Sequence, residues 1–266
     1  MMRIALGIEY DGSGFSGFQW QANARSVQAT LEAALSQIAA EPIRVAAAGR
    51  TDAGVHATGQ VISFSCHANR PLSAWLRGGN ALLPADVKVV WASEVGDDFH
   101  ARFSAVARRY QYLYDDSATA SPLLRRCVLP TAALDDDAMH RAAQQLLGEH
   151  DFSTFRAAGC QSPTAHRCVH RVAVHRAQTL VVLDITANAF LLHMVRNIAG
   201  ALLRVGLRQA DEGWIGQILA GRHRELAGRT APPDGLYLVD VHYPGAGLPA
   251  GRPAGLLRAL GNLDRF

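Results

Sequence analysis

The sequence predicts an α+β protein built from two ferredoxin-like halves. Strand-type alternation and helix-type spacing follow each other twice in the order β-α-β-β-α-β. The length of 266 residues suits one large domain or two ordinary ones. Hydrophobic residues make up 49% and charged residues 18%, which excludes a disordered or fibrous chain. No apolar stretch approaches the ~20 residues that span a bilayer, so no membrane protein is expected.

In the first half, residues 2–10 alternate apolar and polar as a strand does. A glycine-rich loop follows from Asp11 to Asn23. Ser26 is placed to cap a helix whose apolar positions are Val27, Leu31, Leu35 and Ile38, with Pro42 after its end. Ile43–Ala48 reads as a strand, residues 49–57 as a loop with two glycines, and Gln60–Cys66 as a second alternating strand. Ser73 is placed to cap a short helix that stops before Pro84, and Val87–Val95 closes the half as a strand.

The second half opens with a strand over Arg108–Tyr114. Asp135–Leu147 reads as a helix, with acids in its first turn and Gly148 just past its end. Cys168–Arg176 and Thr179–Ala187 read as paired strands. Phe190–Val205 reads as a helix stopped by Gly206, Asp211–Ala220 as a shorter helix, and Gly235–Tyr243 as the last strand. The expected division is 1–107 and 108–245, with a flexible, linker-like tail over 246–266 in which Leu256–Leu263 has weak helical character. No residue pattern is shared between the halves, so the repeat is one of elements.

The formal charge is only +3, but it is unevenly spread. Between Phe152 and Ala210 the one acid is Asp184, against Arg156, Arg167, Arg171, Arg176, Arg196, Arg204 and Arg208. Phe99–Tyr114 adds Arg102, Arg108 and Arg109 with no acid, and the remainder of the chain is net negative. Such segregation points to a basic face for a polyanion. Lys88 is the only lysine, so compositional drift accounts for arginine in place of lysine but not for the missing acids. Cysteines at 66, 127, 160 and 168 form no CxxC pair, and reduced thiols are expected. The N-terminus reads neither as a secretory leader nor as a transit peptide, and a cytoplasmic location is expected.

Several motifs can be weighed by their chemistry. Gly12–Gly17 spells GxGxxG after a strand, but a dinucleotide site needs a helix opening at the third glycine, and here the helix waits until Ser26. The loop is therefore structural or RNA-facing. A Walker loop, HExxH and the zinc deaminase pattern are absent. His166, Cys168 and His170 alternate along one strand face, but their spacing matches no common structural zinc site, and no metal is expected.

In Gly49–Ala57, Asp52 is flanked by Arg50, Thr51 and His56. Asp and Gly favour turns for backbone reasons alone. Yet the connection is long for a hairpin, and a carboxylate on a loop above a rigid sheet is where a nucleophile would sit. Tyr110, Tyr112 and Tyr114 share a strand face, two of them expected in the core and Tyr110 available to stack on a base. Arg196 interrupts the apolar pattern of its helix. It either snorkels to the surface or is buried and needs a carboxylate partner, which the Asp52 loop could supply.

Taken together these stretches resemble the tRNA pseudouridine synthase A family. The match runs in order over nearly all of residues 3–243: YDGSGFSGFQWQ, SVQATLEAAL, GRTDAGVHATGQV, DFHARFSAVARRYQYLY, HDFSTFR, FLLHMVRNIAGALLRVG and RTAPPDGLYLVDVHY. Leu192 and Phe18 depart from the family's usual residues, and the tail after Pro244 is not covered. The resemblance implies two ferredoxin-like subdomains joined into one continuous, mainly antiparallel sheet, with helices on one face and a central RNA-binding cleft. It implies a homodimer, tRNA as partner, no cofactor and no metal. The implied reaction isomerises uridine to pseudouridine at positions 38, 39 and 40 of the anticodon stem-loop. On the matching positions, Asp52 would be the nucleophile. Tyr110 would stack on the base and help remove a proton, and Arg196 would pair with Asp52. Arg50 would hold the place the target base vacates. Arg102, Arg109, Arg156 and Arg167 would contact substrate phosphates. The competing expectations are a non-catalytic RNA-binding protein with two ferredoxin-like halves, and a metal-dependent RNA hydrolase on the His166/Cys168/His170 face.

Overall fold

The structure is a computed structural model, and it describes residues 1–259. In chain order the elements are β1 (Met2–Tyr10), α1 (Val27–Ala39), β2 (Ala46–Ala47), β3 (His56–Cys66), α2 (Gly79–Leu82), β4 (Val87–Glu94), β5 (Ala107–Asp115) and β6 (Leu129–Pro130). They continue as α3 (Asp136–Ala143), β7 (Gly148–Asp151), β8 (His166–Ala177), β9 (Leu180–Ala187), α4 (Met194–Gly206), α5 (Trp214–Gly221), β10 (Leu236–His242) and α6 (Gly255–Ala259). The fold is α+β, with sheets that are mostly antiparallel. No described helix is long and apolar enough to cross a membrane.

The chain divides into two compact units: Met1–Val106 with Tyr237–Gly255, and Ala107–Leu236 with the chain from Leu256. The first unit carries the strand order β4-β1-β3-β10, with β2 beside β3. Ile4, Leu6 and Ile8 are fully buried, as are Leu31 and Ile62, and Phe64 meets Trp75 edge-on at 5.1 Å. Helix α1 forms as its sequence demands, for the Ser26 hydroxyl accepts from the Ala29 amide at 3.3 Å. Ser73 makes no such cap; a π-helical turn, Ala74–Gly78, runs straight into α2. Of the strand expected over 43–48 only β2 pairs, antiparallel to β3.

The second unit has the order β5-β9-β8-β7, with β6 parallel to β5. Asp135 caps α3 by accepting from the Ala138 amide at 3.0 Å, and Gly148 takes a φ of 91° beyond the helix. Helix α4 begins four residues later than its pattern suggests. His193 adopts a φ of 59°, and Met194 donates to the Leu191 carbonyl in a turn that precedes the helix. Helix α4 ends at Gly206, which is its last helical residue. A Cβ there would come within 2.5 Å of Met139 Sδ, so the glycine serves the packing of α4 on α3.

The last strand, read as the end of the second half, groups with the first unit. β10 runs parallel to β3, with Tyr237 opposite His56. Alternation identifies a strand but not the edge it joins. Beyond Pro244, where a flexible tail is expected, the chain stays on this unit for a further stretch. Gly251 donates to Asp240 at 2.7 Å, Arg252 donates to the Val239 carbonyl at 3.0 Å, and Ala254 is buried. The rest of the tail, 260–266, lies outside the described residues.

Candidate active site

The Asp52 loop is built from backbone contacts. Val55 donates to the Asp52 carbonyl at 3.2 Å, closing a turn in which Gly54 takes a φ of 80°. Two further bonds tie this turn to the N-terminal glycine loop. Phe18 donates to the Thr51 carbonyl at 3.0 Å, and Gly54 donates to the Phe15 carbonyl at 3.3 Å. The glycines permit that approach. A Cβ on Gly12 would sit 1.9 Å from the Val55 carbonyl oxygen, and one on Gly17 3.0 Å from that of Thr51. The GxGxxG stretch is thus a brace for the 49–55 loop. Phe18, one of the departures from the family pattern, is buried and packs 6.4 Å from the Tyr10 ring.

Polar side chains complete the support. Tyr10 and Thr51 share a hydroxyl–hydroxyl bond of 2.8 Å, and Gln60 donates to the Gly49 carbonyl at 2.7 Å. Burial pushes the Tyr10 phenol up to about 12, against the opposing pull of its bonds to Thr51 and Gln60. Asp52 itself is half-buried and Arg50, two residues before it, is exposed. Neither Tyr10 nor Gln60 stands out in the sequence as a site residue, because both sit in ordinary strand patterns.

Tyr110 and Arg196 belong to the second unit. Tyr110 lies on β5 with 8% exposure, its ring edge-on to Phe190 at 5.0 Å. Tyr112 and Tyr114 are fully buried, and their hydroxyls donate to the carbonyls of Pro232 (2.8 Å) and Ala199 (2.9 Å). Tyr112 and Tyr114 thus belong to the core, as the strand pattern predicts, and Tyr110 is buried as well. Arg196 neither snorkels freely nor lies fully buried. Its Nε donates to the Ala231 carbonyl at 2.9 Å, and the Ala231 amide donates back to the Arg196 carbonyl at 3.1 Å. Burial pushes the Tyr112 phenol up, and the Arg196 guanidinium pulls it partway back, so the cation lies near Tyr112.

The other arginines divide by what they already hold. Arg109 is bound in two-pronged fashion to Asp184, with Nε 2.8 Å from Oδ1 and Nη2 2.5 Å from Oδ2. Asp184, the lone acid of its stretch, is 2% exposed and also accepts from Gln111 at 2.9 Å. Arg156 donates to the carbonyls of Cys160 and Ser162, and Arg167 donates to those of Thr164 and His166. Arg102 is exposed, its guanidinium 5.6 Å from the centre of the Phe103 ring. On β8, Cys168 Sγ lies 3.7 Å from His170 Nδ1, but no group of three or more His, Cys, Asp or Glu among the described residues is placed to hold a metal ion. Cys66, Cys127, Cys160 and Cys168 are all free thiols.

Comparison with known proteins bears on the whole chain. The family model described as tRNA pseudouridine synthase matches residues 7–104 and 142–244, which takes in the Asp52 loop, the glycine loop and α4. A protein of Shewanella baltica (strain OS223) named tRNA pseudouridine synthase A is 57% identical over 244 residues, covering 91% of this chain and 94% of the relative. A protein of the same name from Shewanella amazonensis is 56% identical, covering 93% of this chain and 96% of its own. One from Shewanella frigidimarina is 53% identical over 244 residues. A solved Cbf5-Nop10-Gar1 complex overlaps at a TM-score of 0.36 with 10% identity, covering 88% of this chain and 48% of that one, a likeness too low to bear on the site. With a family model spanning well over half its length and relatives of this identity, the chain belongs to the tRNA pseudouridine synthase family, a family of isomerases.

Proposed function

We propose that this protein converts uridine to pseudouridine at positions 38, 39 and 40 of the tRNA anticodon stem-loop, with Asp52 as the nucleophile. The observation that carries the reading is the pinning of the Asp52 loop by the glycine loop through bonds at Thr51 and Gly54. A carboxylate that must meet one atom of a flipped nucleotide gains from such pre-organisation. The reaction breaks the N1–C1′ bond and forms a C5–C1′ bond; a proton leaves C5 and one is taken up at N1. Atoms and electrons are conserved, so the chemistry calls for no oxidant or cofactor.

In this reading Arg196 pairs with Asp52, a role to which its anchoring at Ala231 is suited. Tyr110, held edge-on by Phe190, stacks on the uracil and assists loss of the C5 proton. The target base leaves its stack at a cost of a few kcal/mol, and Arg50 holds the vacated place. Arg102, Arg156 and Arg167 contact phosphates. Arg109, in the same basic stretch as Arg102, is expected there too, but its guanidinium is already committed to Asp184. We infer a cytoplasmic homodimer with tRNA as partner. One enzyme serving three adjacent positions reads shape and backbone more than base identity.

The test is incubation of the purified protein with unmodified tRNA and no added cofactor, followed by mapping of pseudouridine. Product at 38–40 supports the reading. Tight tRNA binding without any product would instead make the chain a binding protein only. Product at other positions would overturn the site assignment.

A further inference from the structure

We propose that His56 is a positioning residue for the Asp52 carboxylate, acting through the lone pair of its Nδ1. The inference rests on Asp52 being the nucleophile. His56 opens β3, four residues after Asp52, and is 4% exposed. Its Nδ1 accepts from the Gly12 amide at 3.2 Å. A backbone N–H can only donate, so Nδ1 must present its lone pair and the ring proton sits on Nε2. The Asp11 carboxylate also lies 3.2 Å from Nδ1 and would favour a proton there. Asp11 is exposed, however, and the same Oδ1 already accepts from the Ser13 amide at 2.9 Å. The buried Gly12 amide has the stronger claim, because leaving it without an acceptor costs more than leaving a hydrated carboxylate in water.

The place of this bond gives it its effect. Gly12 is pressed against the Val55 carbonyl so closely that no Cβ fits between them. His56 therefore clamps the near end of the glycine loop at the point where the 49–55 loop enters β3. Phe15 and Phe18 extend the same contact toward Gly54 and Thr51. The ring is held in this orientation by stacking on Tyr237 at 4.7 Å with planes 19° apart. Without the clamp, the backbone bonds that aim Asp52 lose their fixed end, while the phosphate contacts proposed for Arg102, Arg156 and Arg167, on other segments, are left in place.

The experiment compares His56→Asn and His56→Leu, reading kcat and KM for pseudouridine formation separately, with thermal stability measured alongside. The Asn side-chain oxygen falls where Nδ1 does and can accept from Gly12; Leu fills the space and accepts nothing. The Leu variant is expected to lose about tenfold in kcat with KM little changed, and Asn to return within roughly threefold of the parent. An unchanged kcat in the Leu variant overturns the proposal. So does an Asn variant as slow as Leu, which would assign the effect to ring packing on Tyr237. A second measurement is independent of turnover: the nitrogen NMR spectrum of the parent should show His56 Nδ1 unprotonated and Nε2 carrying the hydrogen, and the reverse overturns the proposal. A parent protein that forms no pseudouridine would sink the Asp52 reading, and His56 would then stand or fall on the nitrogen spectrum alone.

Discussion

The Asp52 loop and the arginine-rich stretch from 152 to 210 show opposite relations between residue type and role. In the loop, the residues that matter are glycines and backbone amides, and their work is to let two segments approach within hydrogen-bonding distance. In the stretch, the residues that stand out are charges, and many are already engaged. Arg109, from the adjoining strand, holds Asp184; Arg176 holds Asp116 and Asp136; Arg208 holds Asp135; Arg156 and Arg167 serve carbonyl groups; Arg204 lies 4.7 Å from the centre of the Trp214 ring. An arginine surplus in sequence is therefore no measure of the charge on offer to a polyanion. Acids distant in the chain return to neutralise it.

That contrast can be broken, most severely at Asp52 itself. Asp52→Asn keeps the shape and removes the charge, so pseudouridine formation should vanish while tRNA affinity stays within a few-fold. Nucleoside analysis and filter binding read both, and turnover persisting after deamidation is excluded would remove the nucleophile. Next is Arg109→Leu, which strands a buried carboxylate and should cost about 3–5 kcal/mol in a urea unfolding series. Weakened tRNA binding at unchanged stability would instead make Arg109 a phosphate ligand.

Gly12→Ala should cost about 1–3 kcal/mol, because the atom it meets is a backbone oxygen that cannot swing aside. A neutral outcome would show that the brace is slack. Asp116→Asn is smaller, about 1 kcal/mol near pH 7, since Arg176 is partly solvated. The Arg176 guanidinium holds the Asp116 carboxyl below its ordinary range. The stabilisation is therefore complete above the unfolded value of about 4 and is lost as pH falls through the lower folded one. The parent–variant gap should shrink between pH 7 and pH 3; a constant gap would mean the ion pair contributes nothing. Least for the fold is Arg50→Ala, expected to change stability by under about 0.5 kcal/mol. It should still slow pseudouridine formation, because the flipped-out nucleotide loses the group that holds its vacated place. An unaltered rate would remove Arg50 from that role.

Legibility followed the range of the interaction. Ser26 and Asp135 cap their helices because a cap needs only a side chain and an amide three residues on. The strands β1, β3, β5, β8 and β9 follow from alternation. The start of α4 did not, since nothing local requires His193 to adopt a positive φ. Neither did the short β7, whose four residues carry too little pattern. Among the candidate functional residues, Asp52, Tyr110 and Arg196 stood out by motif. Tyr10, Gln60 and the clamp at His56 did not, because their roles are defined by partners 11 to 44 residues away.

Periodicity and caps alone determined the α+β class and the order of most elements, and the family was legible only as a resemblance of whole stretches such as GRTDAGVHATGQV. These are properties of neighbours along the chain, where spacing of 2 or 3.6 residues translates directly into a face. Only the tertiary structure decided that β10 joins β3, that Asp184 consumes Arg109, and that the glycine loop underlies the 49–55 loop. Each of those is a choice among distant partners of equal local merit, and packing and charge neutralisation make it once the chain has closed on itself.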